Sequence, residues 1–514
     1  MLKLIFVLFV TIEYTQCANI LCFFPAPSVS HQIIFQSVWK ELSLRGHRLT
    51  VITPNALNDP SLTNLTEIDV GFSYKMLSGE KGLAKRVPKE NSLMSNVVNL
   101  FDMSAEILQA ELEYGEVQKL IKSDQEHFDL IIQGQFFLPM GYGFAAKFQA
   151  PIVGISSCGV FLHTHDAVGN PTHPIISPDS MLNFQGDLSF IDKLKSFLFN
   201  IWYRAIYYWY ALPMADRVAR KYFGEDMPYL GDIERNISLL LLNVNPIMQT
   251  VRANVPNVIE VNQMHIREKK PLPKDLQEYL DSSSEGVVYF SLGSNVKSAN
   301  LTSRMRDVIM GAFSEVPYNI LWKFETDDLP GRPDNVLTRK WLPQQDVLGH
   351  PNIKAFITQG GAQSIEEAIY NEVPMIGIPF ITDQPTNVRR VVDLGMGLGL
   401  DYRTMTKGQL KNAILEVVEN KKYKKRVQES KAILVDQPIK GVEKAVWWIE
   451  YVIRHKGARI LRSPSADMPF AEYFMLDVIG FILLCICLSF YAVEKVFALL
   501  RYILCSRRTK LKEN

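Results

Sequence analysis

The chain has 514 residues, 47% hydrophobic and 21% charged, with a formal net charge of +1. That length exceeds what one ordinary core serves, so two or three domains are expected, and the apolar content excludes a disordered chain. Near-neutral charge, with no basic stripe of interleaved aromatics in the main body, excludes nucleic acid as a partner.

The opening stretch, MLKLIFVLFVTIEYTQCA, carries Lys3, an apolar run over 4–12 and a small-residue site near Thr15, Cys17 and Ala18. The run is too short to span a bilayer, so 1–17 reads as a secretory signal peptide. Asn-x-Ser/Thr triplets at Asn64, Asn236 and Asn300 suit N-glycosylation in that compartment.

Residues 18–262 form the expected first domain. An apolar strand over 19–24 leads through Pro25-Ala26-Pro27-Ser28 into a helix over 31–44, with Ile34, Val38 and Leu42 on one face. Arg45-Gly46-His47 ends it, and 49–53 is the next strand. This order opens a doubly wound sheet, whose ligands gather at the strand C-terminal ends, and His31 stands at such an end. Buried strands over 128–132 and 151–156 flank a helix over 142–148. His163 and His165 lack a third metal ligand at useful spacing and read as loop residues. The run IDKLKSFLFNIWYRAIYYWY, 191–210, is an aromatic-rich helix with Lys193, Lys195 and Arg204. Its pattern suits the wall of an apolar pocket, a membrane surface or an ordinary core helix alike.

Two prolines, five charges between Arg267 and Lys274 and a serine run mark 263–285 as a linker. The second domain, 286–440, has strands over 286–292, 320–324, 353–358 and 375–378 and a helix over 409–418. Its centre is 353–384, in which Gly360-Gly361 breaks the strand, a helix runs over 362–370 and Pro374 forbids its continuation. A helix opening directly after a glycine turn aims unpaired N–H groups and the positive end of its dipole at an anion, most naturally a phosphate. Gly293-Ser294 forms a second such turn.

In 441–472 a helix over 441–455 carries Trp447 and Trp448 and is placed to pack back on the first domain. Residues 474–493 match the ~20 that a transmembrane helix needs, with Asp477 at one edge. Asp467 and Glu472 precede the span and Arg501, Arg507, Arg508, Lys510 and Lys512 follow it, so 494–514 reads as a cytosolic basic tail and the domains as luminal. The tail's last residues resemble the lysine-based retrieval signal of endoplasmic-reticulum membrane proteins. Of six cysteines only Cys22 and Cys158 remain in the lumen, too few for a disulfide framework or a four-cysteine zinc site, and both read as buried thiols. Cys505 stands where juxtamembrane palmitoylation occurs.

Phe356-Ile357-Thr358-Gln359-Gly360-Gly361, Ser364, Glu367, Pro374, Pro379 and Asp383-Gln384 together form a long pattern. With Val288 to Ser294, Trp341-Leu342-Pro343-Gln344 and Leu348-Gly349-His350-Pro351, it resembles the UDP-glycosyltransferase family in its animal, membrane-bound, insect-like form. The likeness extends over essentially the whole chain. It implies an α/β fold of two facing Rossmann-like domains, the GT-B architecture, plus a single C-terminal transmembrane helix, in an enzyme of the endoplasmic-reticulum membrane.

The resemblance also implies roles. Trp341 would stack on uracil and Gln344 would pair with the uracil or ribose edge. Glu367 would accept the ribose hydroxyl protons, and the N–H groups around Gly361, Gln363 and Ser364, with Ser294, would hold the diphosphate. Asp383 and Gln384 would read the sugar hydroxyls. No Asp-x-Asp triplet occurs, and neither metal nor cofactor is expected, the UDP-sugar being a substrate. His31 would be the general base toward a small lipophilic acceptor, with inversion at the anomeric carbon. A homo-oligomer is compatible with this reading.

Two positions depart from the family's pattern. Gln359 replaces a common histidine, and its amide still donates to a phosphate oxygen. Gly134 stands where a carboxylate would orient the catalytic imidazole, a loss worth as much as ~10⁴ in rate in the Ser-His-Asp template. Gln133, Gln135, a water or Asp166 are the stand-ins, and a carboxylate restored at 134 is expected to raise turnover if its absence limits the reaction. The rival readings are a UDP-sugar-binding protein of weak activity and a membrane receptor.

Overall fold

A computed structural model of the chain describes residues 17–78, 92–135, 137–184, 186–294, 296–380 and 383–510. Nearly all of the expected signal peptide and the end of the basic tail, Lys512 included, lie outside the described residues. The chain divides into two compact bodies, one ending at Arg462 and the other beginning at Ser463.

The first body contains two parallel sheets. One is built from β1 (Asn19–Phe23), β2 (Arg48–Thr53), β3 (Leu65–Asp69), β4 (Leu130–Gly134), β5 (Ile152–Ser156), β6 (Ile237–Asn243) and β7 (Val258–Val261). Their order is β3-β2-β1-β4-β5-β6-β7. The period of two sends Leu21 and Phe23 of β1 into one apolar layer and Ile20 and Cys22 into the other. Both faces are therefore covered, which is why the central strands β1, β4, β5 and β6 read as mostly apolar runs. Helix α1 (Val29–Leu44) covers the second face with Ile34, Phe35, Val38, Trp39 and Leu42. Because β2 and β4 lie on opposite sides of β1, the order reverses there and leaves a crevice at the strand ends.

Two readings of this half are corrected. His163 and His165 are not loop residues but lie buried in the short helix α2 (Leu162–Ala167). The aromatic run is α3 (Phe190–Ile206) followed by a π-turn over Tyr207–Ala211. Only Ser196, Phe199, Asn200 and Tyr203 of α3 turn inward, whereas Phe190, Ile191, Leu194, Phe197, Leu198 and Ile201 are exposed, so α3 is not a plain core helix.

The second sheet comprises β8 (Val287–Ser291), β9 (Asn319–Lys323), β10 (Val336–Arg339), β11 (Ile353–Thr358), β12 (Met375–Gly377) and β13 (Gly397–Gly399) in the order β10-β9-β8-β11-β12-β13. Its reversal lies between β8 and β11. The stretch read as a linker holds α4 (Lys274–Ser282), whose Leu276 and Leu280, one turn apart, join the core under this sheet. Three further helices bear on the site: α5 (Gln344–Leu348), α6 (Ala362–Tyr370) and α7 (Gln384–Asp393). Helix α8 (Gly441–Arg454) returns to the first sheet, where Ala445, Val446, Ile449 and Val452 join the layer of α1.

In the second body α9 (Leu476–Lys510) begins after Met475, at φ +52°, and runs past the expected end at 493, since neither Pro nor Gly follows to stop it. Leu476–Leu504, 29 residues with an 18-residue window of mean hydropathy 2.4, is long and apolar enough to cross a membrane.

Candidate active site

The glycine turn after β11 is fixed by its backbone. Gly360 has φ +87°, and a Cβ there would lie 2.4 Å from Val388 Cγ2, so no other residue fits. Gly361 then caps α6 with no side chain competing for the first-turn N–H groups, which leaves them for a ligand. The turn after β8 meets it. Gly293, at φ +72°, packs so closely on Gln359 that a Cβ would lie 2.4 Å from Gln359 Nε2. Gln359 is buried, and its Oε1 has no partner among the described residues. Gln359, Gly361, Gln363, Ser364 and Ser294 thus stand at the ends of two adjacent strands.

Gln344, first residue of α5, donates through Nε2 to Glu367 Oε2 at 2.6 Å and to Ser364 Oγ at 2.9 Å. Tyr289 OH donates to Gln344 Oε1 at 3.1 Å. Burial pushes the Glu367 carboxyl up to about 7. Trp341 is 62% exposed, with Lys323 Nζ 5.6 Å from its ring centre, so a large apolar face is open for stacking. Asp383 precedes α7 and accepts at Oδ2 from Asn387 Nδ2 at 2.7 Å; the same amide donates to Gly360 O at 3.0 Å. Gln384 Oε1 accepts the Phe380 N–H at 2.8 Å, so that oxygen shapes the loop. The sequence did not mark Asn387, which ties the acidic loop to the glycine turn.

His31 is the third residue of α1. Its place is set by buried Gln32, whose Nε2 donates to Phe24 O at 2.9 Å and Ala26 O at 2.8 Å, holding the Pro-Ala-Pro loop against the helix. His31 Nδ1 contacts Ser157 Oγ just past the end of β5. Ser157 O accepts from Asn243 Nδ2 at 3.3 Å and from Gln363 Nε2 of α6 at 3.4 Å. Burial lowers the imidazole pKa, and the charge of Asp383 acts in the opposite sense. The Asp383 charge thus acts on His31, 352 positions away in sequence.

Gly134 ends β4, but the space beside it is filled. A Cβ there would lie 2.8 Å from Phe24 Cδ1 and 3.4 Å from Phe23 O. Phe24 is fully buried and stacked on Phe35 and Trp39 at 4.6 Å and 5.2 Å. The expectation that a carboxylate restored at 134 would raise turnover is thus opposed by packing. Asp166 is engaged elsewhere, accepting from Arg204 Nε and Nη2 at 2.8 Å each. His163 bonds Tyr203 OH at 2.9 Å and stacks on Tyr207 at 4.0 Å, and burial drives its pKa down to about 3.

Contacts from the first domain and from the stretch read as a linker reach α6 directly. Asn245 Nδ2 donates to Glu366 Oε1 at 2.5 Å, and His265 lies 3.8 Å from both Glu366 Oε2 and Glu367 Oε1. Burial raises Glu366 to about 7 and lowers His265 to about 4, so the imidazole is neutral near pH 7 while the carboxyl titrates there. A groove of about 500 Å³ beside α7, lined in part by Phe184, Met248, Val251, Pro385 and Arg389, contains none of the residues predicted from the sequence.

Residues 20–510 match the family described as "UDP-glucoronosyl and UDP-glucosyl transferase". A "UDP-glucosyltransferase 2" of Dactylopius coccus is 33% identical over 504 residues, covering 97% of this chain and 96% of its own length. An "Ecdysteroid UDP-glucosyltransferase" of Spodoptera littoralis nuclear polyhedrosis virus is 33% identical over 487 residues, 90% of this chain and 94% of its own. Among solved structures the glycotransferase of kitacinnamycin superposes with a TM-score of 0.55 at 19% identity, over 85% of this chain and 99% of its own, a likeness of the GT-B fold.

Proposed function

The chain belongs to the UDP-glycosyltransferase family and is a glycosyltransferase that draws its sugar from a UDP donor, and we propose that His31 serves it as general base toward a hydroxyl of a small lipophilic acceptor. The observation that carries this reading is the shared position of Ser157, which touches His31 through Oγ and accepts from Gln363 of the donor helix through its carbonyl. A hydroxyl beside His31 is therefore beside the sugar.

In the proposed reaction Trp341 stacks on uracil, Glu367 and Gln344 hold the ribose, and the first-turn N–H groups of α6, with Ser294, take the diphosphate charge. Asp383 and Gln384 orient the hexose. His31 Nε2 removes the acceptor proton as the oxygen attacks the anomeric carbon from the face opposite UDP. The bond to the diphosphate oxygen breaks, UDP leaves with the electron pair, and the configuration inverts. The viral relative is named for an ecdysteroid, in line with a small lipophilic acceptor here.

The same reading places the enzyme in the endoplasmic-reticulum membrane with its sheets luminal. The apolar span of α9 supports it, and the exposed row Phe190, Leu194, Phe197 and Ile201 of α3 supplies a second apolar surface for the bilayer. Gly134 favours a second reading, a member that binds donor but turns over slowly. Product formation across a panel of UDP-sugars and lipophilic alcohols, measured beside UDP affinity, decides between them. Turnover with inversion supports the first reading; tight UDP binding with no product over the whole panel supports the second.

A further inference from the structure

We infer that Ser157 is the positioning residue for His31, occupying the role that a carboxylate at position 134 would otherwise hold. The inference rests on His31 being the base. With no acid at 134, and with Asp166 bound to Arg204, the partner that His31 Nδ1 meets is the hydroxyl of Ser157.

The geometry around Ser157 is what such a role requires. The residue is 2% exposed, so its hydroxyl is shielded from competing water. Its main chain is gripped from both domains, by Asn243 at the end of β6 and by Gln363 in the first turn of α6. A serine hydroxyl can donate or accept, and the inferred role assigns Oγ as the acceptor, which keeps the proton on Nδ1 and leaves the Nε2 lone pair for the acceptor hydroxyl. A hydroxyl does this with a dipole rather than a charge, so it orients the ring without stabilising the imidazolium as a carboxylate does.

The test uses the full chain in detergent or vesicles, with kcat, its pH profile and UDP affinity measured for Ser157→Ala, Ser157→Thr, Ser157→Asp and His31→Ala. Ser157→Ala should lower kcat roughly 10- to 100-fold, within the 10²–10⁴ that general-base catalysis supplies, and leave UDP affinity within about twofold. Ser157→Thr keeps the hydroxyl and should recover most of the rate. Ser157→Asp should move the acidic limb of the kcat profile to higher pH, since a carboxylate at Nδ1 favours the imidazolium. Wild-type kcat and an unmoved profile in Ser157→Ala would overturn the inference, as would a threonine variant as slow as alanine with UDP binding intact. If the alanine variant does not fold, Ser157→Cys against Ser157→Thr decides in its place: the weakly hydrogen-bonding thiol should be the slower, and equal rates overturn the inference. Wild-type turnover in His31→Ala would instead sink the base itself, an outcome separate from failure of Ser157 alone.

Discussion

Replacing Gly134 with Asp should destabilise the protein without accelerating it. The new Cβ would stand 2.8 Å from Phe24 Cδ1, where carbon atoms prefer about 3.5–4.0 Å, an overlap of roughly 1 Å. Phe24 cannot simply turn aside, because it is fully buried between Phe35 and Trp39. Overpacking of this kind costs about 1–3 kcal/mol, and burying a carboxylate that finds no partner adds to it. Urea unfolding followed beside turnover of the same preparations measures both effects. A lowered midpoint with turnover at or below wild type is expected. A faster enzyme with an unchanged midpoint would refute the packing argument and restore position 134 as the missing partner's place.

Glu366→Gln should stabilise the protein progressively between pH 5 and pH 8. Its carboxyl, raised to about 7 from an unfolded value near ~4.3, contributes stability that is full below the lower value and lost as pH rises through the upper one. Glutamine does not ionise, so the gain at pH 8 should be on the order of 1–3 kcal/mol in thermal or urea unfolding; a gain confined to acidic pH would contradict the assignment. Trp341→Ala should weaken UDP binding by about 1–3 kcal/mol, the worth of one base stacked on an aromatic ring, with a smaller effect on kcat at saturating donor; unchanged affinity by calorimetry would remove the indole from the donor site. Glycopeptide mapping should find sugar on the exposed Asn300 and none on Asn64, whose Nδ2 already donates to Ser43 O and His47 O at 2.8 Å and 2.7 Å; a glycan on Asn64 would contradict this.

The donor side was legible because its chemistry is local. Ile353–Thr358 is a run of mostly apolar and β-branched residues, closed two places on by a glycine that only the left-handed region explains, and Glu367, Ser364 and the turn lie within a dozen residues of one another. Edge strands were harder to read. Leu65–Asp69 alternates too weakly, and Val336–Arg339 and Gly397–Gly399 are too short for a period to show. Along β4 the paired residues begin two places later than its apolar run, since Phe128 leaves the ladder to pack edge-on against Phe148 at 4.8 Å. Helix α3 illustrates a different limit: its periodicity is real, but the pattern cannot say which face meets the core. Ser157 was invisible for another reason. Its partner lies 126 positions away, and a serine after a strand carries no signal until the sheet order brings β5 beside the mouth of α1. The contact between Asn245 and Glu366 was equally hidden, because it joins elements that only the closed pair of sheets brings together.

The most direct test of the proposed reaction is the turnover of His31→Ala with a UDP-sugar and a lipophilic alcohol that the wild-type enzyme glycosylates. The proposed base predicts a fall of at least about 10²-fold while UDP affinity holds, because the imidazole serves proton removal and not donor binding. Turnover equal to wild type would contradict it.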